Sequence, residues 1–229
     1  MLNESDCPMK ERILFQNEAC MVINKLPGES SEFSETEDGN FFAPVHRLDM
    51  PVSGCLLLAK TQAAAAFLGE AFSRPAAGKE PGRIEKRYWA VVEKGARRLF
   101  DGELVHWLSF DSAKNKSFAH DKAGRGRKKA ILRYRLAGEG DHYLFLEIDL
   151  VTGRHHQIRA QLAAEGLHIK GDLKYGARRS EKGGGIKLHA YSLAFPNPLD
   201  PDEIIRVETL PPAMDSLWTA FAEAAGVVG

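Results

Sequence analysis

Two short apolar runs, CMVINK at residues 20–25 and CLLLAK at 55–60, constrain the fold more than any other feature of this chain. Both are bounded by turn-forming residues, the pattern of strands buried in a sheet. The second leads directly into QAAAAFLGEAF, an alanine-rich stretch with Phe67 and Ala71 one helical turn apart and Thr61 placed to cap its start. A strand, a tight connection and a helix on a sheet therefore organise the first third of the chain.

The remainder keeps interleaving the two periodicities. Prolines and glycines in PAAGKEPGR break the chain before KRYWAVVEK, whose alternation puts Tyr88, Ala90 and Val92 on one strand face and Trp89 and Val91 on the other. HYLFLEIDL reads as a strand that passes through Val151, Thr152 and Gly153 into RHHQIRAQLAAEG. There Ile158 and Leu162 stand four apart, and Gly166 is placed to stop the helix. KLHAYSLAF reads as a further strand, and MDSLWTAFAEAAG as a terminal helix that packs Leu217 and Phe221. This order lacks the even strand–helix rhythm of a doubly wound fold. It predicts an α+β class, with a mixed, mainly antiparallel central sheet, flanking helices and one compact domain over residues 1–229.

Of the 229 residues, 44% are apolar, enough for a sizeable core, and no run approaches the roughly 18 residues of a membrane span. MLNESDCPMKER lacks the basic-then-apolar layout of a secretory signal. Cys7, Cys20 and Cys55 are odd in number, widely spaced and without a CxxC pair, which points to a reducing cytoplasm. Net charge is zero, but DKAGRGRKKAILRYR carries seven basic residues, including Lys128 and Lys129, against one acid. That segment is either a solvated loop or a phosphate-contacting patch balanced by acidic surface such as SSEFSETEDG.

The densest ionisable chemistry is VHRLDMPVSG, with His46, Arg47 and Asp49 within four residues. A kinase catalytic loop is excluded, because no glycine-rich phosphate loop, strand lysine or DFG accompanies it. EKGGGIK lacks the Lys-Ser/Thr of a nucleotide loop and reads as a turn. The adjacent His155 and His156 would point about 100° apart on a helix, and no HExxH or cysteine cluster completes a metal site. What remains is a solitary carboxylate. A single acid does not make a glycosidase of the usual kind, but it can act as nucleophile or base if it stays ionised beside a cation. Arg154 and Arg159, five positions apart on the expected helix, cannot face one point. One can pair with the aspartate while the other reaches a phosphate.

These segments then resemble a known family. PVHRLDMPVSGCLLLAKT, KRYWAVVEKG, LVTGRHHQIRAQLAAEGLHIKGDLKYG and LHAYSLAFPNP are similar, in order and spacing, to the successive motifs of the RluA-type pseudouridine synthases. ILFQNEACMVINKLPG is similar to that family's opening strand pair, and together the pieces span most of residues 13–198. The resemblance implies a central RNA-binding cleft and isomerisation of uridine to pseudouridine in tRNA or rRNA, with no cofactor and no metal. It assigns Asp49 to the catalytic carboxylate and Tyr88 to the tyrosine against the target base. It assigns Arg159 to the arginine paired with the aspartate, Arg47 to the arginine that holds the base out of its stack, and Leu188 to an aliphatic residue against the site. His46, Arg154, Lys128 and Lys129 complete the expected substrate-binding set.

The chemistry is consistent with those assignments. The reaction breaks an N–C glycosidic bond, turns the base and forms a C–C bond to the same ribose. A carboxylate can serve by attacking sugar or base or by taking a sugar proton. A stacked base cannot be reached in place, so flipping at a cost of a few kcal/mol is expected, offset by phosphate contacts. Several positions depart from the family pattern: Leu26 in NKLPG, MPVSG after the aspartate, His155 for threonine or serine, Gln161 for histidine, and GLHIKGD for a proline-containing version. They bear on substrate identity, not on the reaction. No separate N-terminal RNA-binding domain is expected, and the partner is RNA, met by a monomer without membrane association. The alternative is an RNA-binding or RNA-folding protein on the same scaffold with modification secondary or lost.

Overall fold

A computed structural model describes residues 9–32, 42–73, 84–95, 101–181 and 184–227. The expected break at PAAGKEPGR, most of the acidic SSEFSETEDG segment, Cys7 and part of the EKGGGIK turn lie outside the described residues. The chain falls into two compact units, residues 1–86 with 190–212, and residues 87–189 with 213–229.

In the first unit β1 (Ile13–Gln16), β2 (Cys20–Lys25), β4 (Ser53–Ala59), β10 (Leu188–Asn197) and β11 (Asp200–Glu208) follow one another across the sheet, and β3 (Ala43–Pro44) pairs with β4. The pairs β1–β2, β2–β4, β3–β4 and β10–β11 are antiparallel. CMVINK and CLLLAK are thus neighbours, with Cys20 opposite Ala59 and Lys25 opposite Gly54. All seven residues of β4 are buried, which is why the run reads as continuously apolar rather than alternating. Helix α1 (Gln62–Ser73) starts where expected: the Thr61 hydroxyl accepts the Ala64 N–H at 3.1 Å. Its Leu68 and Ala71 join Val22, Leu57, Phe195 and Val207 in the core, with Phe67 packed at the edge. Cys20 and Cys55 are buried free thiols.

Gly54 shows why a glycine stands five residues after Asp49. Its φ is +116°, and an added Cβ would meet the Ala190 backbone nitrogen at 2.6 Å, so β4 and β10 touch backbone to backbone there.

The second unit is an antiparallel sheet in the order β5 (Glu85–Glu93), β9 (Tyr143–Leu150), β8 (Lys128–Glu139), β6 (Gly102–Asp111) and β7 (Lys116–His120). Helix α2 (Gln157–Ala164) packs on one face, where Ala160 meets Leu108, Ala130 and Tyr175. On the other face α3 (Ser216–Ala224) stacks Phe221 on Trp89 at 4.6 Å and on Phe145 at 5.3 Å. The two faces of KRYWAVVEK therefore carry different duties, Trp89 for packing and Tyr88 on the side of α2. In α3 the inner residues are Trp218, Phe221 and Ala222, and Leu217 is only part-buried. The expected Leu217–Phe221 stripe is correct in Phe221 and turned by one residue at its start, because the larger indole takes the inner position.

The basic segment becomes strand over its second half. Ala130 and Leu132 are buried while Arg133 and Arg135 point away and pair with Glu103 and Glu147. Counting its charges hides that alternation. Helix α2 corrects another expectation: it begins at Gln157, not at Arg154, because His156 takes a left-handed conformation at φ 51° and ψ 27°. Six consecutive residues from Gln157 to Leu162 are buried, so this helix is enclosed on all sides. Among the described residues no helix is long and apolar enough to cross a membrane.

Candidate functional site

In the first unit the loop carrying His46, Arg47 and Asp49 runs from β3 to β4, and its backbone is pinned at three successive residues. The Ser31 hydroxyl donates to the Leu48 carbonyl at 2.8 Å and accepts the Leu48 N–H at 2.9 Å. The Asp49 carbonyl accepts the Val52 N–H at 2.9 Å. The Met50 carbonyl accepts the Gly28 N–H at 2.7 Å and the Lys25 ammonium at 3.2 Å. Lys25 is fully buried and also donates to the carbonyls of Leu26 and Glu29, each at 2.9 Å. Burial lowers its pKa to about 8, against the pull of Glu29 and Asp49.

The Pro27–Gly28 pair makes this geometry local. Gly28 has φ +87°, the value that position i+2 of a type II turn requires, and the turn aims its N–H at Met50. Leu26 fits without disturbing it, giving its N–H to Glu29 Oε2 at 3.0 Å. Neither Lys25 nor Ser31 stands out from the sequence as a support for Asp49, although NKLPG contains the first.

His46 is spent on the loop itself. Its Nε2 accepts the Leu57 N–H at 3.0 Å, and its ring stacks on Phe72 at 4.9 Å with planes 9° apart. Desolvation, helped by the Lys86 charge, lowers its pKa to about 3, so it is neutral at pH 7. Arg47 is exposed and Asp49 part-exposed.

The second unit holds the other expected residues. Tyr88 is buried on β5 opposite Ile148. Leu188 is buried at the start of β10. Lys128 and Lys129 are exposed at the start of β8 and point to opposite faces, Lys128 paired with Leu108 and Lys129 with Trp107. Arg154 precedes α2 rather than lying on it, so the helical argument that separated it from Arg159 does not apply. Its backbone N–H goes to Gln157 Oε1 at 2.9 Å and its Nε to the Lys129 carbonyl at 3.1 Å. Thr152 and Gln157 explain the spacing of TGRxxQ. The threonine hydroxyl donates to Gln157 Oε1 at 2.7 Å, and the glutamine amide donates to the Ile131 carbonyl at 3.0 Å, tying the turn to β8.

Arg159 is 5% exposed and grips Asp172 through two parallel bonds, Nε–Oδ2 at 2.6 Å and Nη2–Oδ1 at 2.8 Å. Its guanidinium lies 4.9 Å from the centre of the Tyr175 ring. The segment GDLKYG thus supplies both the acid and the ring that orient this arginine, a role its sequence alone did not announce. His156 completes the cluster: Nδ1 lies 3.0 Å from the Tyr175 hydroxyl, and its ring stacks on His155 at 3.8 Å. Its pKa is lowered to about 3, by burial first and then by Arg159. The two histidines therefore share a stack rather than diverging. Among the described residues no cluster of three or more His, Cys, Asp or Glu is arranged to hold a metal.

Chemically, the first unit offers a carboxylate on a rigid loop, and the second an enclosed arginine beside aromatic rings and an exposed basic edge. The sequence model described as RNA pseudouridylate synthase matches residues 21–164. An RNA pseudouridine synthase of Zymomonas mobilis is 31% identical over 221 residues, covering 89% of this chain and 91% of its own. Ribosomal large subunit pseudouridine synthase D of Borreliella burgdorferi is 35% identical over 150 residues, covering 65% of this chain, which spans only 43% of that protein. In fold, the chain is similar to human RNA pseudouridylate synthase domain containing 4, with TM-score 0.70, 17% identity, and coverage of 95% of this chain and 94% of the other.

Proposed function

The chain belongs to the RNA pseudouridine synthase family, of RluA type, and from that premise we propose that it isomerises specific uridines of tRNA or rRNA with Asp49 as its catalytic carboxylate. The reading rests above all on the pinned backbone of Leu48, Asp49 and Met50, which fixes a part-exposed acid in place. In this reading Asp49 acts on the ribose or base while the N1–C1′ bond breaks and the C5–C1′ bond forms. The C5 proton is given up and N1 regains one, so no atom is gained or lost.

Tyr88 provides the flat surface against the turned base, and Leu188 an aliphatic one. Arg159, oriented by Asp172, is assigned to the carboxylate by the family's pattern, where a cation favours the ionised form. Arg47, exposed beside Asp49, is suited to fill the space a flipped base leaves. Arg154 and Lys128 meet phosphates, while Lys129, on the opposite face of the strand, contributes its carbonyl to holding Arg154; His46 acts by shaping the loop.

The test is position-resolved pseudouridine mapping of total RNA from cells with and without the gene. Loss of one or a few sites, restored by wild type and not by Asp49→Asn, supports the proposal. Restoration by Asp49→Asn would remove the aspartate from the mechanism. An unaltered map together with retained RNA affinity would favour the RNA-binding scaffold instead.

A further inference from the structure

The register of the second sheet places one more residue on the Tyr88 side. Tyr88 opposes Ile148, Ile148 opposes Tyr134, and Tyr134 opposes Gly102. Directly opposed residues share a face, and every second residue returns to it, so Leu104, His106, Leu108 and Phe110 all lie on that side. The first three are covered or part of the packing under α2. Phe110 is not: it is 52% exposed at the end of β6, next to the edge strand.

Its ring meets that of His155, edge-on at 4.4 Å. From there the rings continue inward, His155 on His156 at 3.8 Å, His156 to Tyr175 at 5.7 Å, and Tyr175 beneath Arg159 at 4.9 Å. His155 is itself fixed, because the Ser117 hydroxyl donates to its carbonyl at 2.6 Å. Phe110 thus presents a half-exposed aromatic ring on an ordered support.

Charge says which kind of partner. On this face β6 from Gly102 to Phe110 and β8 from Lys128 to Leu136 present no carboxylate. Lys128 projects beside Leu108, and exposed Arg154 is bonded to Lys129. Lys116 sits over the Tyr175 ring at 4.7 Å. An exposed ring on a strand face that carries Lys128 and no strand carboxylate fits a nucleobase and its phosphates, and does not fit an acidic-poor apolar helix.

We propose that Phe110, backed by His155, is a stacking platform for a nucleobase flanking the target uridine, and so a specificity-determining element of the enzyme. The inference rests on the chain acting on RNA. It concerns a neighbouring nucleotide, since four ring contacts separate Phe110 from Arg159. His155 stands where the family usually carries threonine or serine, which makes the platform a feature of this chain.

The experiment is fluorescence-anisotropy binding of the full chain to a twelve-residue oligouridylate and to a strand of equal length lacking all bases, over a range of salt. Phe110→Ala is expected to weaken oligouridylate binding about tenfold, to leave binding of the abasic strand and the salt slope unchanged, and to keep the wild-type melting curve. Phe110→Tyr should retain affinity, and Phe110→Leu, which keeps bulk without a π-face, should lose it. Wild-type affinity in Phe110→Ala or Phe110→Leu, an equal loss on the abasic strand, or no wild-type preference for the base-bearing strand overturns the platform. Because pseudouridine is not read out, a platform that survives alongside an unaltered RNA map would sink the isomerase reading alone. An altered map without Phe110 dependence would sink only the platform.

Discussion

The Asp49 loop and the Arg159 helix solve the same problem in opposite ways. Around Asp49 the protein fixes backbone: Ser31, Lys25 and the Gly28 turn hold residues 48 to 50 by their amides and carbonyls. Around Arg159 it fixes the side chain, through a two-pronged carboxylate and an aromatic floor. The first arrangement positions a charged group by holding the main chain on both sides of it. The second commits much of the group's capacity to the support, and suits a residue that orients rather than reacts.

The contrast breaks most visibly at Asp172. Asp172→Ala strands a buried guanidinium, and urea unfolding should show a loss of about 3–5 kcal/mol; a loss below about 1 kcal/mol would mean the pair is not a structural anchor. Acid is next, and it strikes both regions. His46 and His156 are held neutral in the folded chain, with pKa values lowered to about 3 chiefly by burial. Below the ordinary value near 6.5 the unfolded chain takes up protons that the folded chain refuses, so stability falls as pH drops from about 6.5 toward 3. Two such groups give at most about 3 kcal/mol per pH unit. His46→Gln should halve that slope in unfolding curves collected between pH 7 and 5, and a flat profile in wild type would contradict it.

Ser31→Ala leaves the buried Leu48 N–H and carbonyl without their partner. A destabilisation of about 2 kcal/mol is expected, with kcat falling more than KM rises if the loop's backbone is what positions Asp49. Equal kcat in Ser31→Ala would show that Lys25 and the turn suffice. The smallest effect separates two lysines. Lys128→Gln should reduce the slope of log affinity against log salt by about 0.7, whereas Lys129→Gln, on the opposite face, should leave it unchanged. Equal reductions would place RNA on both sides of the strand.

Much of this is legible in the sequence. Fully buried strands announce themselves as unbroken apolar runs, and β2 and β4 did so. Thr61 and Gly166 marked helix ends because capping and left-handed geometry are local requirements. The α2 boundary was not legible: helical spacing extends back to Arg154, and only the left-handed His156, buried against Tyr175, cuts it short. Strand β8 was obscured by its own charges, since lysines and arginines on the exposed face of a strand look like a loop when counted rather than alternated. The supports Lys25, Ser31 and Asp172 escaped for a different reason. Each acts on a residue between 13 and 25 positions away, and sequence spacing carries no signal for such pairings outside a motif.

Gly54 has a consequence for how this chain's mutational record would be read. Every other residue would bring a Cβ against the Ala190 backbone, so the position is closed by the meeting of two main chains. With Asp49 as the proposed catalytic carboxylate, a saturation scan scored on RNA modification would mark Gly54 and Asp49 as equally intolerant, five residues apart. Scored on cellular abundance, the two would part company, with Gly54 variants disappearing and Asp49→Asn accumulating as a folded, silent protein.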